Sequence, residues 1–277
     1  MTLEKRSQIR IRAQDDGILE TVRELVRTRE LLGVLVFRQI KARYAQTAFG
    51  AFWVVVQPLM AAALYTLVFG VFVKVPTGGI PYVLFSYSGM VVWSIFAQGF
   101  DRAGISLVQD ERIITKTYFP RLHLPISAVL STLPDLVVST ILLVPVAWIM
   151  GFPPRFSILW ALPAIAIPLL LSVGAGAVVA SFNIRWRDLR QAAPFLVQIW
   201  VWATPVAYPL EVAPQRWRGV LLLNPMTPPT MVFRHALLGT ALPPPWSMAS
   251  SLGASLILFL LGCWVFRRVE KTFADYI

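Results

Sequence analysis

Charge is scarce in this sequence. Only 14% of its 277 residues are charged while 57% are hydrophobic, and a typical soluble domain carries about 25% charged residues. That balance excludes an ordinary soluble enzyme, a disordered chain and a secreted disulfide scaffold. One cysteine excludes an intrachain disulfide and a multi-cysteine metal cage. The two histidines, His123 and His235, fall at opposite expected membrane faces, so no His-based metal cluster is expected. No G-x-x-x-x-G-K-[ST] loop is present, so nothing here reads as an ATP phosphate cradle. Acids are equally sparse: the cluster that a membrane glycosyltransferase would need near one membrane face is missing.

What is present is a set of long apolar runs edged by basic residues. Six candidate spans of roughly 20 residues cover about 49–73, 80–100, 122–150, the stretch between Arg155 and Arg185, the stretch between Arg190 and Glu211, and 246–266. A seventh apolar patch, 219–233, is broken by Pro225, Pro228 and Pro229 and reads as a re-entrant or interfacial segment. Of the 25 Lys and Arg residues, twenty lie before the first run, in the second-to-third and fourth-to-fifth connections, and in the tail. The positive-inside rule then places both termini in the cytoplasm. The net charge of +11 would suggest nucleic acid in a soluble chain; here the basic residues flank apolar runs and read as membrane-surface contacts. The first apolar run starts far from Met1, so no cleavable signal peptide is expected. The expected fold is an all-α integral membrane protein. It has a cytoplasmic N-terminal segment (1–48), a six-span transmembrane domain (49–266) and a cytoplasmic tail (267–277).

Within the N-terminal segment Ile18, Leu19, Val22, Leu25 and Val26 recur at helical spacing, with Arg23, Glu24, Arg27, Arg29 and Glu30 on the other face. The pattern predicts an amphipathic helix on the inner membrane surface. Arg38, Lys41, Arg43 and Tyr44 follow at headgroup depth, where plain anchoring and an anionic-ligand site are both open readings. The connection 101–121 is mixed in charge, with Gln109, Asp110, Glu111, Arg112 and Lys116, which suits docking of a soluble partner as well as a solvated loop. The segment 211–245 predicts two short helices folded back into the outer leaflet, with Asn224, Pro225 and Arg234 in it. Asp135, after Pro134 inside the third run, raises the possibility of a proton relay. With no evident relay partner it reads better as a structural contact at a Pro-loosened turn. Ser172, Gly176 and Ala180 recur every four residues and read as a helix-packing face.

Two faces mix rings with amides: Phe49, Trp53 and Gln57 in the first run, and Gln191, Phe195, Gln198 and Trp202 in the fifth. Rings can slide along the apolar faces of sugars and amides can exchange hydrogen bonds with hydroxyls. Lipid-facing aromatics and ordinary helix packing are the competing account.

At the level of motifs the chain resembles the permease subunits of ABC-2-type polysaccharide exporters, which move O-antigen, capsule or teichoic acid chains. The resemblance runs from about Leu31 to Ile277. It is carried by Arg38-Gln39-Ile40-Lys41-Ala42-Arg43-Tyr44 with Gly50, Trp53 and Pro58. Pro81-Tyr82 and Gly89-Met90-Val91-Val92-Trp93 follow, then Tyr118-Phe119-Pro120-Arg121 with Leu124-Pro125. Arg187-Asp188 precedes Trp200-Val201-Trp202-Ala203-Thr204-Pro205-Val206-Ala207-Tyr208. Asn224-Pro225-Met226-Thr227-Pro228 and Phe273-Ala274-Asp275-Tyr276-Ile277 complete the set. One departure is Gln39, where an acid commonly follows the Arg.

The resemblance implies a homodimer of this chain with two copies of a cytoplasmic ATP-binding subunit. ATP and Mg would sit in that subunit, and this chain would carry no cofactor and no catalytic residue. It implies that Gln109, Asp110, Glu111, Arg112 and Lys116 meet the ATPase, and that the first and fifth spans line a channel. It implies that 211–245 forms an outer gate, and that the cargo is an undecaprenyl-diphosphate-linked polysaccharide in the bacterial inner membrane. The alternatives are an ABC-2 drug or lipid exporter, a membrane glycosyltransferase or ligase, and a proton-coupled carrier resting on Asp135.

Overall fold

The computed structural model describes residues 23, 25–44, 50–111, 113, 119–153, 160–186 and 188–270. Among these every regular element is a helix. We number the α-helices α1 (Arg29–Tyr44), α2 (Gly50–Tyr65), α3 (Tyr82–Gln109), α4 (His123–Leu130), α5 (Leu133–Ile149), α6 (Ala161–Asn183), α7 (Leu189–Trp200), α8 (Gln215–Leu223), α9 (Thr227–Leu238) and α10 (Pro245–Glu270). A π-helical stretch, Thr66–Phe72, continues α2, and a 3₁₀ turn, Leu210–Val212, precedes α8.

Four stretches are long and apolar enough to cross a bilayer: Tyr82–Gln109, His123–Ile149, Ala161–Asn183 and Pro245–Glu270. α3 is the hub. Leu84, Val91, Val92 and Phe96 on it are fully buried, and α2, α4, α5, α6, α7 and α9 all pack against it. A helix apolar on every side is expected only where other helices, rather than lipid alone, surround it.

The face formed by Ser172, Gly176 and Ala180 is buried and sets the close approach of α6 to α3. A Cβ on Gly176 would come within 2.4 Å of the Ala103 Cβ. The Ser172 hydroxyl donates to the Phe96 carbonyl at 3.1 Å, and Asn183 Nδ2 donates to the Gly104 carbonyl at 3.1 Å. On its opposite side α6 meets α10 backbone to backbone. A Cβ at Gly174 would lie 2.5 Å from the Leu258 carbonyl carbon, and one at Gly262 2.3 Å from the Gly174 oxygen. In lipid, where apolar surface gains little by pairing, such small-residue contacts hold helices together.

Two of the expected spans differ from the sequence reading. The single run 122–150 is two helices, α4 and α5, separated by a turn at Ser131-Thr132. Pro134, in the first turn of α5, has no N–H to continue the ladder. The Ser131 and Thr132 hydroxyls donate back to the Ala128 and Val129 carbonyls, each at 2.7 Å, so the broken turn keeps its hydrogen bonds. The stretch between Arg190 and Glu211 is the 12-residue helix α7 followed by tight turns. In those turns the N–H groups of Trp202, Ala203 and Thr204 bond to the carbonyls three residues back. At 1.5 Å per residue α7 alone reaches about 18 Å, short of a bilayer core of about 30 Å.

The proposed amphipathic residues Ile18, Leu19 and Val22 lie outside the described residues. α1, which follows them, is not simply laid on a surface. Leu35 is buried in a cluster with Leu107, Phe119, Leu122, Leu124, Cys263 and Phe266, while Val34 and Phe37 stay exposed.

Candidate functional site

Two polar constellations and one ring cluster stand out, one at the α1 end of the bundle and the others at the α9 end. At the α1 end, the basic lead-in to the first span is tied to acids on distant elements. Arg38 Nη2 donates to Asp110 Oδ1 at 2.7 Å. Arg43 Nη1 forms an ion pair with Asp135 Oδ2, and the Tyr44 hydroxyl donates to Asp135 Oδ1. Gln39 Nε2 donates to the Ser127 hydroxyl at 3.1 Å, and Arg43 Nη2 to Gln98 Oε1 at 3.3 Å. Asp135 thus has the partners that sequence alone did not disclose. It joins the end of α1 to the first turn of α5, and its side chain is buried.

A cavity of about 350 Å³ opens beside these contacts, lined by Arg38, Gln39, Ala42, Arg43, Arg102, Gln109, Asp110 and Ala128. Of the four residues read as headgroup contacts, the structure brings Arg38 and Arg43 to this cavity; Lys41 is exposed and Tyr44 turns to Asp135. Arg102, which the sequence reading counted only as a loop charge, lines the same cavity.

Partial burial and the hydrogen bond to Asp135 push the Tyr44 phenol up from its ordinary value near 10 to about 12. Tyr44 therefore favours the fold while protonated. Its contribution is whole below pH 10 and is lost as pH rises through about 12. We expect the difference in thermal midpoint between the native protein and Tyr44→Phe to shrink between pH 10 and pH 12. A difference constant across that window would show that the phenol proton is not what matters.

At the opposite end α9 is buried against α3 and α6 rather than lying free. Arg234 is 3% exposed. Its Nε donates to the Phe85 carbonyl at 3.2 Å, Nη1 to Pro205 O at 2.7 Å and Nη2 to Val206 O, with the guanidinium 3.7 Å above the Phe85 ring. Asn224, in the turn between α8 and α9, fastens that turn to the end of α7. Its Nδ2 donates to Ala203 O at 2.9 Å and to Thr204 Oγ1 at 3.0 Å, and its Oδ1 accepts from Trp200 Nε1 at 3.1 Å. Pro225 O accepts from the Ser251 hydroxyl at 2.5 Å.

The ring-and-amide faces fall on surface that this single chain leaves open. Gln57, Gln191, Phe195, Gln198 and Trp202 are exposed. Phe49 and the Trp53 side chain lie outside what the structure describes. The structure does bring the first and fifth segments together at one end: the Trp202 ring sits 6.0 Å from Tyr65 and 6.2 Å from Phe69, centroid to centroid. In the 101–121 connection Gln109 and Glu111 are exposed, Asp110 is held by Arg38, and Arg112 and Lys116 lie outside the described residues.

Four apolar stretches long enough to cross a bilayer, tied together by part-buried ion pairs between distant elements, make this a helical membrane-spanning chain. The match to known families makes this specific: the ABC-2 type transporter family model covers residues 30–238, and the chain belongs to that family. It is 28% identical over 263 residues to the O-antigen export system permease protein RfbA of Myxococcus xanthus, covering 94% of this chain and 100% of that protein. It is 25% identical over 248 residues to the RfbA permease of Klebsiella pneumoniae, covering 89% and 94%. It is 26% identical over 253 residues to the capsule polysaccharide export inner-membrane protein CtrC of Neisseria meningitidis, covering 88% and 92%.

Proposed function

We propose that this chain is the permease subunit of an ABC exporter that moves a lipid-linked polysaccharide, of O-antigen or capsule type, across the bacterial inner membrane. The carrying observation is the near end-to-end match to O-antigen and capsule export permeases. Two copies would assemble with two copies of a cytoplasmic ATP-binding subunit. ATP and Mg would be bound there, since this chain has no phosphate loop.

In this reading the π-extended α2 supplies the first of six spans and α7 with its following turns the fifth. Residues 1–48 and 267–277 are cytoplasmic, and α8 and α9 are re-entrant helices of an outer gate. The exposed amides and rings of α2 and α7 then face the partner copy and line the path. An amide turned to acyl chains would lose hydrogen bonds worth several kcal/mol, and exposed Gln57, Gln191 and Gln198 avoid that loss beside a wet channel. Rings bind successive sugars without needing their sequence. Gln109, Asp110, Glu111, Arg112 and Lys116 are the proposed contact with the ATPase. The carrier lipid is undecaprenyl diphosphate, which enters by the basic lead-in to α2.

Deleting the gene should stop surface display of the polysaccharide and leave lipid-linked polymer inside the cell. The native chain should restore export. Trp202→Ala should restore short chains better than long ones at equal membrane abundance. Undiminished polysaccharide display in the deletion strain would refute the reading.

A further inference from the structure

The cavity between α1 and α3 has a wall chemistry that its ion pairs do not satisfy. Three guanidiniums, Arg38, Arg43 and Arg102, line it against one carboxylate, Asp110. Arg38 is held by Asp110 through Nη2, but its Nε is buried without a hydrogen-bond partner. Arg43 is turned toward Asp135 and Gln98. Arg102 is half-buried and forms no hydrogen bond or ion pair with any described residue. Arg102 feels repulsion from Arg43 and attraction from Asp135 and Asp101, neither of which is bonded to it.

With Asp110 engaged by Arg38 and Asp135 by Arg43, Arg102 is the guanidinium left without a bonded anion, and a partly desolvated charge is unfavourable until one joins it. The guanidinium fork matches tetrahedral phosphate oxygens two at a time, and a single carboxylate would engage only one fork well. Gln39 and Gln109 in the same wall add amide donors. We propose that this cavity binds a phosphate-class oxyanion of two or more negative charges. Arg102 contacts it directly, with Arg38 and Arg43 on either side.

The anion could be the headgroup of a lipid diphosphate or a free phosphate compound. Only the first source rests on the export reading above; the binding itself does not. The test uses the full chain in nanodiscs of phosphatidylcholine, so that no anionic lipid competes. Inorganic pyrophosphate and farnesyl diphosphate are titrated, with farnesol as the uncharged control.

We expect the diphosphate to bind and farnesol not to. Arg102→Gln should weaken binding at least tenfold and Arg102→Lys should recover part of it. Gln109→Glu keeps all three guanidiniums but places a carboxylate in the wall. It should also weaken binding, and it decides the matter if Arg102→Gln does not fold. Equal affinity for both diphosphates supports a site for the free anion, and preference for farnesyl diphosphate supports a headgroup site. No binding of either, or binding that neither Arg102→Gln nor Gln109→Glu alters, overturns the proposal. Diphosphate binding in a protein whose loss leaves polysaccharide display intact would refute the export reading and leave the site standing.

Discussion

Asp135→Asn should destabilise the folded protein by about 3–5 kcal/mol, the usual cost of removing one partner from a buried ion pair. The substitution keeps the shape of the side chain and an oxygen for the Tyr44 hydroxyl, so what it removes is the charge facing Arg43. Arg43 then remains partly buried, its side chain 22% exposed, with Arg102 as a like-charged neighbour. That exposure lets water reach the guanidinium and puts the expected loss toward the lower end of the range.

The control is the double variant Arg43→Gln with Asp135→Asn. Replacing both members leaves two neutral amides able to bond each other, so most of the stability should return. Thermal midpoints in detergent and the monodisperse fraction on size exclusion measure both. Additive losses in the double variant would show that the pair is not coupled. A recovered double variant that also exports would leave the proton-carrier reading with nothing, because its only acid would be gone.

How much of this could be read from the sequence depended on distance along the chain. The apolar runs flanked by charges located α6 and α10 well: the stretch between Arg155 and Arg185 holds Ala161–Asn183, and 246–266 lies inside Pro245–Glu270. Length and hydropathy are local properties, and α6 and α10 depend on little else. The break between α4 and α5 was harder to see, because Ser131 and Thr132 can sit inside a helix and Pro134 is tolerated in a first turn. The shortness of α7 was hidden by the same apolarity that made its run look like a span.

The ion pairs were invisible for a different reason. Arg38 and Asp110 are 72 residues apart and Tyr44 and Asp135 are 91 apart, so no spacing rule connects them. Asp135 read as a lone acid until the end of α1 was placed beside it. Arg102 carried no signal beyond its charge. The ring-and-amide faces were legible as helical periodicities, but one chain leaves them exposed, and periodicity cannot say whether lipid or a second copy covers them.

Arg234 is the clearest case in which charge misled and burial informs. In the sequence it counts as one more basic residue on the outer side. In the fold it is enclosed, with no carboxylate bonded to it among the described residues. Its hydrogen bonds go to the carbonyls of Phe85, Pro205 and Val206 and its plane lies on the Phe85 ring. Pro205 and Val206 belong to the turns that end the fifth segment, where carbonyls lack the N–H partners of a continuing helix. One side chain therefore supplies the donors that the broken segment needs and clamps it to α3 and α9.

Arg234→Ala should remove all of these bonds at once and open a void over Phe85, at a cost of about 3 kcal/mol or more. Arg234→Lys should recover only part of that, because an ammonium lacks the planar fork and stacks poorly on a ring. Gly89→Ala offers an independent approach, since its new Cβ would lie 2.4 Å from Arg234 Nη2 and 2.9 Å from Val206 O. It should weaken the same clamp by displacing the guanidinium without replacing the arginine. All three variants should lower the thermal midpoint, in the order Arg234→Ala, Gly89→Ala, Arg234→Lys from largest loss to smallest. An Arg234→Ala protein as stable as the native one would mean that water replaces the guanidinium, and that the turns after Trp200 hold themselves.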